Sequence, residues 1–241
     1  TTLDDAVTIN TQGIQEWTVP GTAVYTIEVW GSSGGDKPDN YNAVGGDGVK
    51  MKGDFTLTQG AVLKILVGQK GEDGQTNNSS GGGGGGGGSF VFINATDTYP
   101  LIVAGGGGGC GAGNADRQDG FNATTASTGV ASGYGNAGGS NGNGGTSAAQ
   151  YYSAGGGAGW LDNGDDATHP QLAGGGLAPR NAGIGGQQGR ASYGAEGGFG
   201  GGGGSNDGGA GGGGYSGGGG GRFSPVTGGG GGGSYNASSK P

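Results

Sequence analysis

Two Gly-x-Ser-x-Gly pentapeptides, Gly31–Gly35 and Gly138–Gly142, have the spacing of the elbow that lifts a nucleophilic serine out of a strand-to-helix turn. Neither has that context. The first follows a strand-like run but leads into Asp36-Lys37-Pro38, which cannot start a helix. The single histidine, His169, sits before Pro170 in a polar spacer with no base geometry around it. Gly-x-Gly-x-x-Gly patterns abound, yet a phosphate loop needs a helix N-terminus behind it, and no helical periodicity of useful length is present. Asp162, Asp165 and Asp166 lie beside Gly164 and carry the oxygen ligands that calcium uses. Their spacing matches no established calcium loop, so a solvated turn is expected. Cys110 stands alone, which excludes a disulfide framework and a Cys-x-x-Cys metal pair and leaves a small buried filler. No catalytic residue, metal or cofactor is expected, and the chain does not read as an enzyme.

Aromatic side chains supply the remaining chemistry. Tyr134, Tyr151, Tyr152, Trp160 and Tyr215 lie in glycine-rich surroundings, where they can stand exposed. Tyrosine and tryptophan combine large contact area with a polar tip and little side-chain entropy, which suits recognition of a protein or a sugar. These five are the candidate partner-binding residues. Trp160, like Phe199 and Phe223, has the alternative of capping or sealing the glycine-rich part.

Composition narrows the class of partner. Ten Lys and Arg against eighteen Asp and Glu, a net charge of −8, cannot build the clustered basic surface that nucleic acid requires. No run approaches the roughly 20 apolar residues needed to span a bilayer. No signal peptide opens the chain, and Thr1 in place of Met points to a chain processed or cut from something longer. Five Asn-x-Ser/Thr sequons, at Asn77, Asn78, Asn94, Asn122 and Asn236, are compatible with an extracellular setting, although chance explains most of them in a chain this rich in Asn, Ser and Thr.

The elements that must position these residues fall into two kinds. Ala6–Ile9, Ile14–Val19, Val24–Trp30, Val49–Leu57, Val62–Gly68, Phe90–Ile93 and Leu101–Ala104 alternate or run apolar as β-strands do. Phe90–Ile93 and Leu101–Ala104 form a hairpin around Asn94–Pro100. Pro20-Gly21-Thr22 and Gln59-Gly60 read as turns between neighbouring strands, and Ser234–Ala237 as a last short strand. Along Val24–Trp30 either Tyr25, Ile27 and Val29 or Val24 and Trp30 face the core, with Glu28 on the second, partly solvated face. Gln69–Ser80 reads as a surface loop.

Glycine accounts for 74 of 241 residues, near the collagen proportion, but seven prolines and no strict Gly-X-Y period through the chain exclude collagen. Its runs bracket the strands: Gly81–Gly88 ends at Ser89-Phe90, and Gly105–Gly109 begins where Leu101–Ala104 stops. Further runs are Gly200–Gly204, Gly211–Gly214, Gly217–Gly221 and Gly228–Gly233. Isolated polyglycine is disordered. Strands can instead hold such runs side by side as threefold extended helices, which pair their backbone groups between neighbours. The expectation is one glycine-rich domain over 1–241. Its β-sandwich strands lie mainly in 6–104 and 234–237, and its polyglycine helices and loops mainly in 81–88 and 105–233. Gly81, Gly88, Gly105, Gly109, Gly200, Gly204, Gly217, Gly221, Gly228 and Gly233 mark the structural runs. The spacers Ala112–Ser153 and Asn163–Ala173 are expected to be loops at the rod tips.

Gly13–Pro20, Gly53-Asp54-Phe55, Leu63–Asp73, Gly81–Phe92, Pro100–Gly109 and Gly197–Gly200, in this order, resemble the glycine-rich domain of anaplastic lymphoma kinase and leukocyte tyrosine kinase, over roughly Thr11 to Asn236. The resemblance implies an all-β fold, a tumour-necrosis-factor-like antiparallel β-sandwich with an inserted bundle of polyglycine II helices. It also implies an extracellular domain that binds basic cytokines. The receptors' cysteines, growth-factor-like module and kinase are absent, and no motif carries their cytokine-binding residues over. Val29-Trp30-Gly31 followed by Ser32–Gly35 also resembles bacterial surface proteins and phage tail-fibre adhesins, whose loops at the ends of polyglycine helices recognise a cell surface. The expected function is a non-enzymatic extracellular recognition or adhesion module that presents loops to a cell-surface protein or glycan. The alternatives are a filament or matrix subunit that self-associates, or the receptor-binding tip of a phage tail fibre.

Overall fold

A computed structural model describes residues 7–38, 43–75, 80–113, 117–134, 136–168, 172–189 and 193–239. The sequons at Asn77 and Asn78 and the histidine at 169 lie outside them. Ten strands are present among the described residues: β1 (Val7–Thr11), β2 (Ile14–Thr18), β3 (Ala23–Trp30), β4 (Lys50–Leu57), β5 (Val62–Leu66), β6 (Ser89–Phe92), β7 (Ile102–Ala104), β8 (Gly111–Ala112), β9 (Arg117–Gln118) and β10 (Tyr235–Asn236). The fold is all-β, with antiparallel sheets. One six-stranded sheet runs in the order β1-β2-β5-β6-β7-β10, and β3 pairs with β4 in a second sheet. The short β8–β9 pair has no counterpart in the expected strands.

The hairpin around Asn94–Pro100 forms as its residues dictate, with Phe90 opposite Val103 and Val91 opposite Ile102. Tyr235–Asn236 returns to pair with β7. Two pairings differ from the reading of adjacent strands as partners. The Pro20–Thr22 turn carries the chain from β2 in one sheet to β3 in the other, and the Gln59-Gly60 turn carries it from β4 to β5. β2 pairs with β5 over Ile14–Thr18, and β3 pairs with β4 along all eight residues. Burial of the second sheet decides this. Val29, Phe55 and Leu57 pack on Leu63, Val91 and Ile102 across the sandwich, so each turn links opposing faces. On β3 the first of the two possible faces points inward: Tyr25, Ile27 and Val29 join this core, and Val24 and Trp30 are exposed.

At β6 and β7 the six-stranded sheet is buried on both faces. Odd and even positions point to opposite sides, so Phe90 and Phe92 turn away from Val91. With Ile14, Leu66, Val103 and Tyr235 they form a second core against Trp160 and Tyr215, which belong to the glycine-rich half. Each large apolar side chain removed from water stabilises by about 1.5–3 kcal/mol, so this layer joins the glycine-rich part to the sandwich.

The glycine runs form neither α-helix nor sheet ladder, and their hydrogen bonds rotate with a period of three. Along the octaglycine, the N–H groups of Gly82, Gly85 and Gly88 donate to Asn206, Gly203 and Gly200. Those of Gly83 and Gly86 donate to Cys110 and Gly107, and those of Gly84 and Gly87 to Glu72 and Gln69. One segment thus bonds to three neighbours in turn, satisfying buried backbone without side chains. Cβ atoms would prevent such an approach. On the ten marker glycines an added Cβ would meet its nearest atom at distances from 1.8 Å (Gly217) to 3.0 Å (Gly88), and all ten are buried.

Segments at the edge of the bundle need glycine only on their inner side. Gly68, Gly71 and Gly74 recur every third residue, and Cβ atoms there would meet the carbonyls of Gly87, Gly84 and Gly81 at 2.2, 2.1 and 2.3 Å. Residues 69–75 are therefore not the surface loop expected from their polarity; they run antiparallel along the octaglycine. The spacers are corrected in the same way. Phe121 and Val130 donate to Gly229 and Gly231, and Asp165 accepts from Gly156, so parts of both spacers lie alongside the bundle and not at its tips.

Candidate functional site

Hydrogen-bond partners sort the bundle into two ends. Gly88, Gly105, Tyr215, Gly233 and Trp160 sit beside the sandwich, where Gly105 N–H donates to Ser234 Oγ, Tyr215 N–H to Gly233 O and Trp160 N–H to Tyr215 O. At the other end of the same runs, Gly81 N–H donates to Ala112 O, Ala112 N–H to Asp207 O, Gly208 N–H to Tyr152 O and Ala154 N–H to Gly221 O. The octaglycine run Gly81–Gly88 reaches from one end to the other.

The five candidate aromatics divide between these ends. Trp160 and Tyr215 are corrected: neither is available to a partner. Trp160 is 0% exposed, lies 5.2 Å from Phe92 and 6.2 Å from Phe90 between ring centroids, and donates its indole N–H to Asp97 O at 2.9 Å. Tyr215 is 5% exposed and stacks on Tyr235 at 4.6 Å; burial, with Tyr235 and Tyr99 beside it, pushes its phenol pKa up. The sheet's second face requires an apolar cover, and these residues provide it.

Tyr134, Tyr151 and Tyr152 collect at the distal end. Tyr134 and Tyr151 are each 60% exposed. Tyr151 and Tyr152 lie 6.0 Å apart at 52°, and Tyr152 meets Phe223 at 5.3 Å and 89°. The Arg222 guanidinium lies over the Tyr134 ring at 3.9 Å, a cation–π contact. Tyr152 holds a left-handed φ of 56°, uncommon for a bulky side chain. A cup of about 540 Å³ opens here, lined by Ala149, Gln150, Tyr151, Tyr152, Phe223 and Ser224. Sequence reasoning placed Phe223 as a cap and left Arg222, Gln150 and Ser224 aside. For Arg222 and Ser224 the signal was the non-glycine insert Arg222–Thr227 between two glycine runs.

The other chemistry-bearing residues have structural roles. In Gly31–Gly35 the glycines allow close approach: Cβ atoms on Gly31 and Gly34 would lie 1.9 and 2.1 Å from Gly105 and Gly108 carbonyls. Ser32 Oγ donates within the bundle to Gln69 O at 2.6 Å. Gly138–Gly142 leads into a turn closed by Asn143 N–H and Ser140 O. Asp166 accepts from Gly175 N–H at 2.7 Å, and among the described residues no three His, Cys, Asp or Glu side chains group as metal ligands. Cys110 is fully buried, and burial raises its thiol pKa from 9.0 to about 12. Lys37, given no site role from the sequence, is fully buried; its Nζ donates to the carbonyls of Gln75 and Ser80, fastening the approach to the octaglycine. No helix among the described residues is long and apolar enough to cross a membrane.

No protein-family model matches the chain. A stretch of 62 residues, 26% of the chain, is 37% identical to the leukocyte tyrosine kinase receptor of Mus musculus, and covers 7% of that receptor's length. This is a loose relation to a glycine-rich receptor region.

Proposed function

We propose that this chain is a non-enzymatic extracellular recognition module in which polyglycine II helices form a rigid stalk. The stalk projects from the sandwich and presents the Tyr134–Tyr151–Tyr152–Phe223 end to a cell-surface protein or glycan. The observation that carries this reading is the exposed aromatic cluster at the end of a bundle whose interior is backbone. Support for polyglycine II comes from the three-residue rotation of hydrogen bonds along Gly82–Gly88. Partial similarity to a receptor fits a surface role. A stalk of interlocked backbone orders its tip in advance, which lowers the entropy lost on binding.

A second reading, a filament or matrix subunit, draws on β3. Its eight residues pair with β4 alone among the described strands, and Val24 and Trp30 are exposed along it; such an edge can template another chain. Sedimentation across concentration, with electron microscopy of the same sample, tests both. A concentration-independent monomer that captures a cell-surface ligand, with capture lost in Tyr134→Ala/Tyr151→Ala, is the expected result. Ordered polymers would overturn the monomeric module.

A further inference from the structure

The geometry points to a neutral pyranose ring, the exposed sugar of a glycan, as the occupant of the cup between Tyr151, Tyr152 and Phe223; this rests on the recognition reading above. Three properties of the cup lead there. Its volume, about 540 Å³, lies within the range of small-ligand sites, roughly 300–1,000 Å³. Its walls are aromatic rings set at angles: Phe223 stands at 89° to Tyr152, and Tyr151 at 52° to Tyr152. A sugar ring carries C–H groups on its faces and hydroxyls around its rim. An aromatic wall accepts the former, and the amide of Gln150 and the hydroxyl of Ser224 can donate to and accept from the latter.

The third property is charge. None of the six lining residues is acidic or basic. A cationic ligand such as a quaternary ammonium is favoured by aromatic walls, but no carboxylate lines this cup to select it. An anionic sugar or phosphate would need a cation in the wall, and Arg222, which precedes Phe223 in the sequence, is turned onto Tyr134 at 3.9 Å. A neutral ligand with both apolar faces and hydroxyls matches what remains.

The cup is also built in place. Tyr152 keeps its left-handed backbone while its carbonyl accepts Gly208 N–H at 3.1 Å, and Ala154, two residues on, bonds to Gly221 at 2.9 Å. These bonds tie both walls, the Tyr151-Tyr152 segment and the residues after Gly221, to adjacent glycine runs. The backbone that carries the rings therefore has little freedom left to lose when a ligand arrives.

The test uses the full chain with methyl β-glucopyranoside, methyl β-galactopyranoside and N-acetylglucosamine as neutral probes. Choline and N-acetylneuraminic acid serve as the cationic and anionic ones. Saturation-transfer NMR and titration should show millimolar binding of at least one neutral sugar. Tyr151→Ala or Phe223→Ala should weaken it roughly tenfold, and Ile9→Ala, at an exposed position of β1 outside the cup, should leave it unchanged. Melting curves confirm that the exposed-ring variant Tyr151→Ala folds. Binding of none of the neutral sugars, stronger binding of choline or N-acetylneuraminic acid, or neutral-sugar binding that survives both cup substitutions would overturn the inference. If cell-surface capture persists while no sugar binds, the sugar site falls and the recognition module stands.

Discussion

Replacing Gly85 by alanine isolates what holds the bundle together. At most sites where the backbone tolerates it, Gly→Ala stabilises by about 0.4–1 kcal/mol through the unfolded chain. At Gly85 the added Cβ would lie 2.0 Å from Gly211 O, 2.6 Å from Gly211 C and 3.0 Å from Gly203 N, where ordinary contact begins at 3.4 Å. The segments must part by more than an ångström. Three bonds span that contact: Gly85 N–H to Gly203 O at 2.9 Å, Gly198 N–H to Gly85 O at 2.9 Å and Gly203 N–H to Gly211 O at 2.8 Å. Weakening them costs about 1 kcal/mol each, and overpacking adds about 1–3 kcal/mol. Less the unfolded-state gain, the expected loss is about 3–5 kcal/mol, a large share of a typical stability of about 5–15 kcal/mol. The control is Gly21→Ala, where no atom lies within 4 Å and the change should fall within about 1 kcal/mol of zero. Urea unfolding followed by tryptophan fluorescence, with Trp160 as a buried reporter, reads both. A Gly85→Ala protein within about 1 kcal/mol of the parent would refute backbone contact as the source of stability.

Trp160→Ala should destabilise by about 3–5 kcal/mol in urea unfolding followed by circular dichroism, while surface binding per folded molecule stays unchanged. An alanine scan of residues 68–74 should show a three-residue period: losses at Gly68, Gly71 and Gly74, and little change at Gln69, read as unfolding midpoints. Cys110 should resist iodoacetamide at pH 8 in the native protein and react fully in denaturant, followed by mass spectrometry. With its folded pKa raised to about 12 from 9.0, the native state holds the proton longer than the unfolded state. Its contribution is present below about pH 9 and is lost as pH rises toward 12. Acid has the opposite effect at Glu28 and Asp36. Hydrogen bonds from Lys50 and Lys52 hold Glu28 below 4.5, and at Asp36 burial pushes upward but the Lys70 contact and Gly45 N–H outweigh it and leave it below 3.8. Both folded pKa values are depressed, so their contribution is present above the unfolded values and is lost as pH falls through the folded ones. Urea midpoints should therefore drop below about pH 4, and by less in Asp36→Asn.

Local signals in the chain determined the strands and the positions where only glycine fits. Alternation along Tyr25, Ile27 and Val29 and turn residues around Asn94–Pro100 act over a few neighbours, so they survive without tertiary context. The junction of Gly88 with Ser89 likewise announced that glycine runs are anchored by core strands. A weaker local signal, glycine at 68, 71 and 74, was present but hidden by the polar residues between. A threefold segment at the bundle's edge needs a bare face only every third residue, and its other side chains point to solvent.

Tertiary structure alone decided which strands pair and which aromatics are exposed. Pro20–Thr22 and Gln59-Gly60 are compatible with a hairpin or with a crossing between sheets; burying Val29, Phe55 and Leu57 against Leu63 and Val91 chooses the crossing. Trp160 and Tyr151 occupy similar glycine-rich surroundings in the sequence. One runs up to the sandwich end of its segment and is enclosed by Phe90 and Phe92; the other sits at the far end, where the hydrogen-bonded segments stop and no second layer covers it. Burial depends on which end of a segment meets the sheet, and that follows from contacts between residues far apart in the chain.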